Sequence, residues 1–211
     1  MDALDTRERI LLTAERFYAE RGFDGTSMRS LTEEAGVNLA AVNYHFGSKK
    51  ALMWDMFRAK IVPLNDERIR RLEAAEAQPG GATLEAIFDA LLRPMFEQAQ
   101  GPDGTNIIFM RMVGRMFSEN EEFWQQLHVE FFNDLTARFR GAVAVAEPGL
   151  TPASLAWRFH FAIGAMLGAL LIYHPKGACT EHIDFGDQDK MCTHLVSYMC
   201  AGFRGMEAPA E

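Results

Sequence analysis

Apolar residues recur along this chain at steps of three and four, and the two-residue alternation of a half-buried strand is missing. The pattern predicts helices nearly throughout. In the first segment Ile10, Ala14 and Phe17 form one face, widened by Leu11 and Tyr18. Asp5 and Glu8 have capping-box spacing, and Gly22 stands where a glycine ends a helix, so the first helix is expected over Thr6–Arg21. Thr26 caps a second helix over Ser27–Ala35, Gly36 ends it, and Asn38 caps a third over Leu39–Tyr44. Phe46-Gly47 breaks the helical course, and Ser48 caps a fourth helix that runs from Lys49 toward Ala77, bent at Pro63. Further helices are expected over Thr83–Gln98 with a bend at Pro94, then Thr105–Phe117, Glu121–Ala146, Pro152–Tyr173 and Gln188–Gly202. Gln78-Pro79-Gly80-Gly81 and Gly101-Pro102-Asp103-Gly104 read as loops. Residues 177–186 read as irregular and 207–211 as a frayed tail.

The predicted class is therefore all-α. A three-helix N-terminal head over residues 1–50 is followed by a larger helical domain over residues 51–211. Charge sharpens this division. Of a net charge of −8, residues 1–50 carry seven Lys/Arg against eight Asp/Glu, so most of the acidity lies beyond the head. That balance argues against a chain that wraps nucleic acid everywhere but allows one local binding face. Three cysteines make no disulfide framework and fit a reducing compartment. The first residues lack the apolar run of a signal peptide, and the longest apolar stretch, Phe161–Tyr173, is too short to span a bilayer. A cytoplasmic protein with no membrane association is expected.

The chemistry concentrates in residues 26–46. Two short helices flank the Gly36 turn, and Leu31, Ala35, Val37, Val42 and Phe46 are the positions that pack them on the first helix. Positions 38–41, 43 and 44 are then left to face outward. Ala40 and Ala41 are small enough for close approach to a groove floor, and Leu39 or Ala40 suits contact with thymine methyl groups. Asn43 suits pairing with adenine. Thr26 and Ser27, with the helix N-terminus behind them, suit phosphate, as do Tyr44, His45, Lys49 and Lys50. Arg29 suits either phosphate or base.

The span from Gly22 to Leu52 closely resembles the DNA-binding domain of TetR-family repressors. The resemblance is carried by Glu20-Arg21-Gly22-Phe23, Thr26-Ser27-Met28-Arg29, Ala35-Gly36-Val37 and Tyr44-His45-Phe46-Gly47-Ser48-Lys49-Lys50-Ala51-Leu52. Residues 37–52, Ile108-Phe109-Met110-Arg111, Phe117-Ser118 and Trp157-Arg158-Phe159-His160-Phe161 are also similar to the PsrA-like, fatty-acid-responsive group. The resemblance implies an all-helical homodimer that represses transcription from palindromic double-stranded DNA operators. It implies a C-terminal domain that binds a small effector and forms the dimer. By matching, Arg29, Asn38, Leu39, Ala40, Asn43 and Tyr44 fall where the family reads the groove, and Thr26, Ser27, His45 and Lys49 where it grips phosphate. Many relatives carry Tyr at position 43, so Asn43 departs from the pattern.

Residues 88–139 are rich in phenylalanine and methionine. They read as a helical core or as the wall of an apolar pocket. Phe88, Phe109, Met110, Met116, Phe117 and Phe131 are the candidates for a small apolar effector, with long-chain fatty acid or acyl-CoA as the class the resemblance implies. Arg111, Arg115 or Arg158 would hold its acidic end, unless Glu119, Glu121 or Glu122 pairs with it. Gly164, Ala165, Gly168 and Ala169 give the Trp157–Tyr173 segment a strip open to close helix packing, within one subunit or across a dimer. Cys179, His182, Cys192 and His194 match no common zinc spacing, and no metal or other cofactor is expected. No Gly-x-Ser-x-Gly, Walker or dinucleotide-binding motif occurs, so no catalytic residue and no enzyme activity is expected. The rival reading is a helical DNA binder with no small-molecule ligand, controlled by concentration or by a protein partner.

Overall fold

The computed structural model describes residues 5–98, 105–119, 121–171 and 187–205. Among them the chain is helical, in the order α1 (Thr6–Gly25), α2 (Met28–Glu34), α3 (Leu39–Phe46), α4 (Lys49–Glu76), α5 (Leu84–Gln98), α6 (Thr105–Ser118), α7 (Glu121–Phe131), α8 (Asn133–Ala146), α9 (Pro152–Leu171) and α10 (Gln188–Arg204). The described residues fall into two compact units. The first takes those of Met1–Pro63 and Asp103–Phe131, and the second those of Leu64–Pro102 and Phe132–Glu211. The division passes through α4 at Pro63, the residue that withholds a helical N–H.

In the first unit the capping signals act as the sequence predicts. Glu8 N donates to Asp5 Oδ1 at 2.8 Å and Asp5 N to Glu8 Oε2 at 3.2 Å, a closed capping box. Gly22 has φ +72° and interrupts α1 where the helix was expected to stop. Helix α2 ends in a Schellman motif: Gly36 takes φ +63°, Gly36 N donates to Glu33 O and Val37 N to Thr32 O. The core is aromatic. Tyr18 stands edge-on to Phe57 with ring centres 4.9 Å apart, and Phe123 meets Trp54 at 5.3 Å and Phe23 at 5.1 Å. Fully burying a ring of this size contributes about 1.5–3 kcal/mol. Helix α6 packs on α1, and two side chains clamp the α1 terminus. Arg115 Nη2 donates to Glu20 O, and Glu119 Oε1 accepts from Phe23 N, both at 2.8 Å.

In the second unit α5 packs on α10, α9 on α10 and α8 on α5. Phe203 of α10 lies 4.9 Å from the Phe88 ring and 5.4 Å from Phe159. Gly80 and Gly81 take φ +94° and +78° in the loop before α5, a conformation open to glycine.

The helix expected over Glu121–Ala146 is two helices. Phe132, at φ −125° and ψ −19°, separates α7 from α8. The cause lies in the spacing of the buried positions, Phe123, Leu127, Phe131, Leu135, Phe139 and Val143. A strict step of four drifts about 40° per step around a helix of 3.6 residues per turn. One straight helix would spread these six residues around its surface; Phe132 instead divides them, three on α7 and three on α8.

Candidate nucleic-acid interface and effector residues

Helix α3 separates its faces cleanly. Val42 and Phe46 are buried in the first unit, while Leu39, Ala40, Asn43, Tyr44 and His45 are exposed. Leu39 and Tyr44 are large hydrophobic side chains left 51% and 86% exposed, an arrangement that costs solubility unless a partner covers them. Asn38 caps α3 through Oδ1, which accepts from Ala41 N at 2.8 Å. Its amide –NH2 is the half that a base or phosphate would meet. Arg29, exposed on α2, makes no ion pair among the described residues.

Around this face the hydroxyls and cations have unequal freedom. Ser27 is exposed and caps α2 through Ser30 N at 3.4 Å. Thr26 departs from the expected exposed pair. It is 2% exposed, and its hydroxyl donates to Gly22 O at 2.7 Å. This seats Thr26 as the brace of the α1–α2 corner rather than as an open phosphate donor. Lys49 places Nζ 3.5 Å from Asp24 O and 4.7 Å from the centre of the Phe23 ring, with its ammonium at the same corner. Lys50 donates to Gln126 Oε1 at 2.6 Å. Ser48 caps α4 through Ala51 N at 3.1 Å, after Gly47 turns the chain at φ +77°.

The candidate effector residues divide between the units. Phe109, Met116 and Phe131 are buried in the first, Phe117 lies against Trp124 at 4.3 Å, and Arg111 is exposed. Met110 belongs to α6, and its side chain lies outside the described residues. Phe88 and Arg158 belong to the second unit. Phe88 is fully buried in the α5–α9–α10 core, and Arg158 donates to Ser154 Oγ and to the carbonyls of Gly202 and Gly205 at the end of α10. Arg115 and Arg158 thus both serve helix C-termini, where a cation also meets the negative end of the helix dipole.

A third arginine went unseen in the sequence. Arg68 on α4 is 4% exposed and sits one turn from buried Leu64 and one turn from buried Leu72. Apolar neighbours at i−4 and i+4 are the signal that would have turned it inward. Glu15 is a second hidden charge, paired with Lys60 at 2.8 Å in the first unit.

Of the residues weighed for zinc, Cys192 is buried and His194 exposed on α10, and Cys179 and His182 lie outside the described residues. Burial pushes the Cys192 thiol up to about 11, which keeps it protonated at neutral pH. Among the described residues no group of three or more His, Cys, Asp and Glu is placed to hold a metal ion. No helix among them is long and apolar enough to cross a membrane.

An all-helical chain with a helix–turn–helix whose second helix leaves Leu39, Ala40, Asn43 and Tyr44 facing outward has the form of a DNA-reading regulator. Residues 10–55 match the family model described as bacterial regulatory proteins, tetR family. Residues 89–202 match the model described as tetracyclin repressor-like, C-terminal domain. The chain belongs to the TetR family. It is 24% identical over 181 residues to the HTH-type transcriptional repressor KstR2 of Rhodococcus jostii, covering 82% of each chain. It is 36% identical over 55 residues to the HTH-type transcriptional repressor AcnR of Corynebacterium efficiens, covering 26% of this chain and 29% of that one. With the uncharacterized HTH-type transcriptional regulator YerO of Bacillus subtilis it shares 23% identity over 124 residues, spanning 59% of this chain but only 41% of the relative. The TetR-family regulator PfmR of Thermus thermophilus has the same fold at TM-score 0.61 and 18% identity, over 98% of this chain and 100% of that one. A TetR-family structure from Shewanella matches at TM-score 0.62 and 17% identity, over 93% and 96%.

Proposed function

We propose that this protein is a cytoplasmic transcriptional repressor that binds a palindromic operator as a homodimer and changes its affinity when a small apolar effector binds. Residues 1–50 form the reading head, and residues 51–211 hold the effector and the dimer contact. The observation that carries this reading is the face of α3, where Leu39, Ala40, Asn43 and Tyr44 lie exposed beside the Ser27 and His45 rim. A short helix of this kind reads few base pairs, so two heads on one duplex are needed for a useful site.

The second unit supports a two-fold partner. On α9 Trp157 and Phe161 are 63% and 65% exposed and stack at 5.8 Å, and Tyr198 of α10 is 68% exposed. Exposed aromatic side chains on a helix pair are what an isologous dimer covers. The relatives KstR2 and AcnR, named as repressors, support the sign of regulation. The acyl class rests on the similarity of Ile108–Arg111 and Trp157–Phe161 to the PsrA-like group.

Fluorescence anisotropy on a selected operator duplex tests the reading. The Kd is expected to change at least about tenfold with oleate or oleoyl-CoA. A Kd indifferent to both removes the acyl effector, and no preference for operator over scrambled duplex removes the regulator.

A further inference from the structure

Helices α4 and α5 enclose a guanidinium that meets no carboxylate among the described residues. Arg68 donates through Nε to Leu91 O at 2.8 Å, through Nη1 to Asn65 Oδ1 at 3.1 Å and through Nη2 to Met95 Sδ at 3.6 Å. All three acceptors are neutral, and a thioether is a weak one. A guanidinium has five N–H donors, so two remain unspent. The nearby arginines are treated differently. Arg70 and Arg71 share Glu67, Arg71 also takes Glu97, and Arg93 pairs with Asp89 and Asp189. Glu67, the residue beside Arg68 in sequence, is turned to the other two. Among the described residues no Asp or Glu pairs with Arg68, and burial alone pulls its acidity constant down to about 10, with no charged neighbour acting on it.

A buried charge without a counter-charge weakens a fold. An apolar residue would pack this position between Leu64 and Leu72 at lower cost. Among the described residues the guanidinium has no matching anion. Its setting states what a matching anion must be. Leu64, Leu72, Leu92 and Phe96 are buried apolar side chains on the same two helices, so the anion needs an apolar body. Pro94 withholds the N–H that would bond the Ala90 carbonyl and opens that turn of α5 beside the Leu91 carbonyl that Arg68 grips. Met95, unbranched and adaptable, is the partner that gives way.

We propose that Arg68 is the head-group anchor of the effector, its free N–H pair binding the carboxylate or phosphate oxygens of an amphiphilic anion whose chain lies among the apolar side chains of α4 and α5. This rests on the effector reading above and adds a residue and a charge to it.

The test uses the full chain, as wild type, Arg68→Met and Arg68→Lys, with decanoate, decyl phosphate and decanol below their micelle concentrations and with sodium acetate and inorganic phosphate. Thermal melts and calorimetric titrations are read. Wild type is expected to gain in Tm with an anionic amphiphile and not with decanol, and the head group that acts separates carboxylate from phosphate. Arg68→Met should melt no lower than wild type without ligand and bind that anion about 10- to 100-fold more weakly. Arg68→Lys, which keeps the charge without the fork, should retain part of the response. Equal binding of decanoate by wild type and Arg68→Met would leave the acyl reading standing and overturn the anchor. A ligand-free Tm that falls in both variants would make Arg68 a structural brace and likewise overturn it. If no amphiphile acts but acetate or phosphate raises the Tm of wild type and not of Arg68→Met, Arg68 binds a small anion without an apolar body, and both the amphiphile anchor and the acyl reading fall. If no anion acts on either, both fall.

Discussion

The two units handle unpaired polar groups in opposite ways. The first sets its candidate contact groups in water, where Arg29, Asn43, Tyr44 and His45 stand on exposed helix surface and an absent partner costs little. The second places one inside, where Arg68 is dehydrated between two helices with only neutral acceptors. An exposed donor set suits a large polyanion that binds by surface. An interior cation suits a small anion that must be enclosed. On the proposed function, the reading head and the effector domain differ in where each leaves its charge unmatched.

The contrast can be pressed by mutation. The largest effect is expected inside. Phe88→Ala, at a fully buried ring, should lower unfolding stability by about 3–5 kcal/mol in a denaturant titration. The same truncation outside, Leu39→Ala, should move stability by no more than about 0.5 kcal/mol and act on DNA instead. Gly22→Ala should cost about 1–3 kcal/mol. Its φ of +72° excludes a side chain, and a Cβ would stand 2.7 Å from Glu119 Oε1. Stability equal to wild type would show that the α1–α6 clamp yields freely. Asn43→Ala should leave stability unchanged and relax preference at one operator position by about 1–3 kcal/mol. Lys49→Ala should instead weaken every duplex alike and reduce the salt slope by about 1.

A further small effect is electrostatic. Arg138 holds the Glu76 carboxyl below its usual value of 4.5 through their hydrogen bonds. A lowered carboxyl stabilises the fold above that usual value and loses the contribution as pH falls through the lowered one. Both side chains are about a third exposed, so solvent limits the gain to about 0.2–1 kcal/mol. Glu76→Gln should abolish this part of the acid sensitivity, measured as stability between pH 3 and 6, on the order of the range around that value.

How much of this was legible beforehand depended on the range of the signal. The capping box at Asp5, the glycine stops at Gly22 and Gly36, and the caps at Asn38 and Ser48 act over three to five residues, and each emerged in place, whereas the cap of α2 is Ser27, one residue after the expected Thr26. The outward face of α3 followed from the inward Val42 and Phe46. The break at Phe132 was missed because a step of four looks helical over any short window and drifts only over a long one. Thr26 was misjudged because a buried hydroxyl and an exposed one carry the same letter; only the corner made with Gly22 distinguishes them. Arg68 was hidden by its charge, which reads as surface until the turns on either side of it are seen to be buried.

The central claim is that the exposed face of α3 reads sequence for a two-headed protein. Selection of bound duplexes from a random pool by the full chain, repeated with Asn43→Ala, tests it most directly. Wild type is predicted to enrich an inverted repeat with half-sites about one DNA turn apart or a multiple of it, and the variant to lose selectivity at one symmetric position in each half. A pool that stays random, or an identical repeat from both proteins, would contradict it.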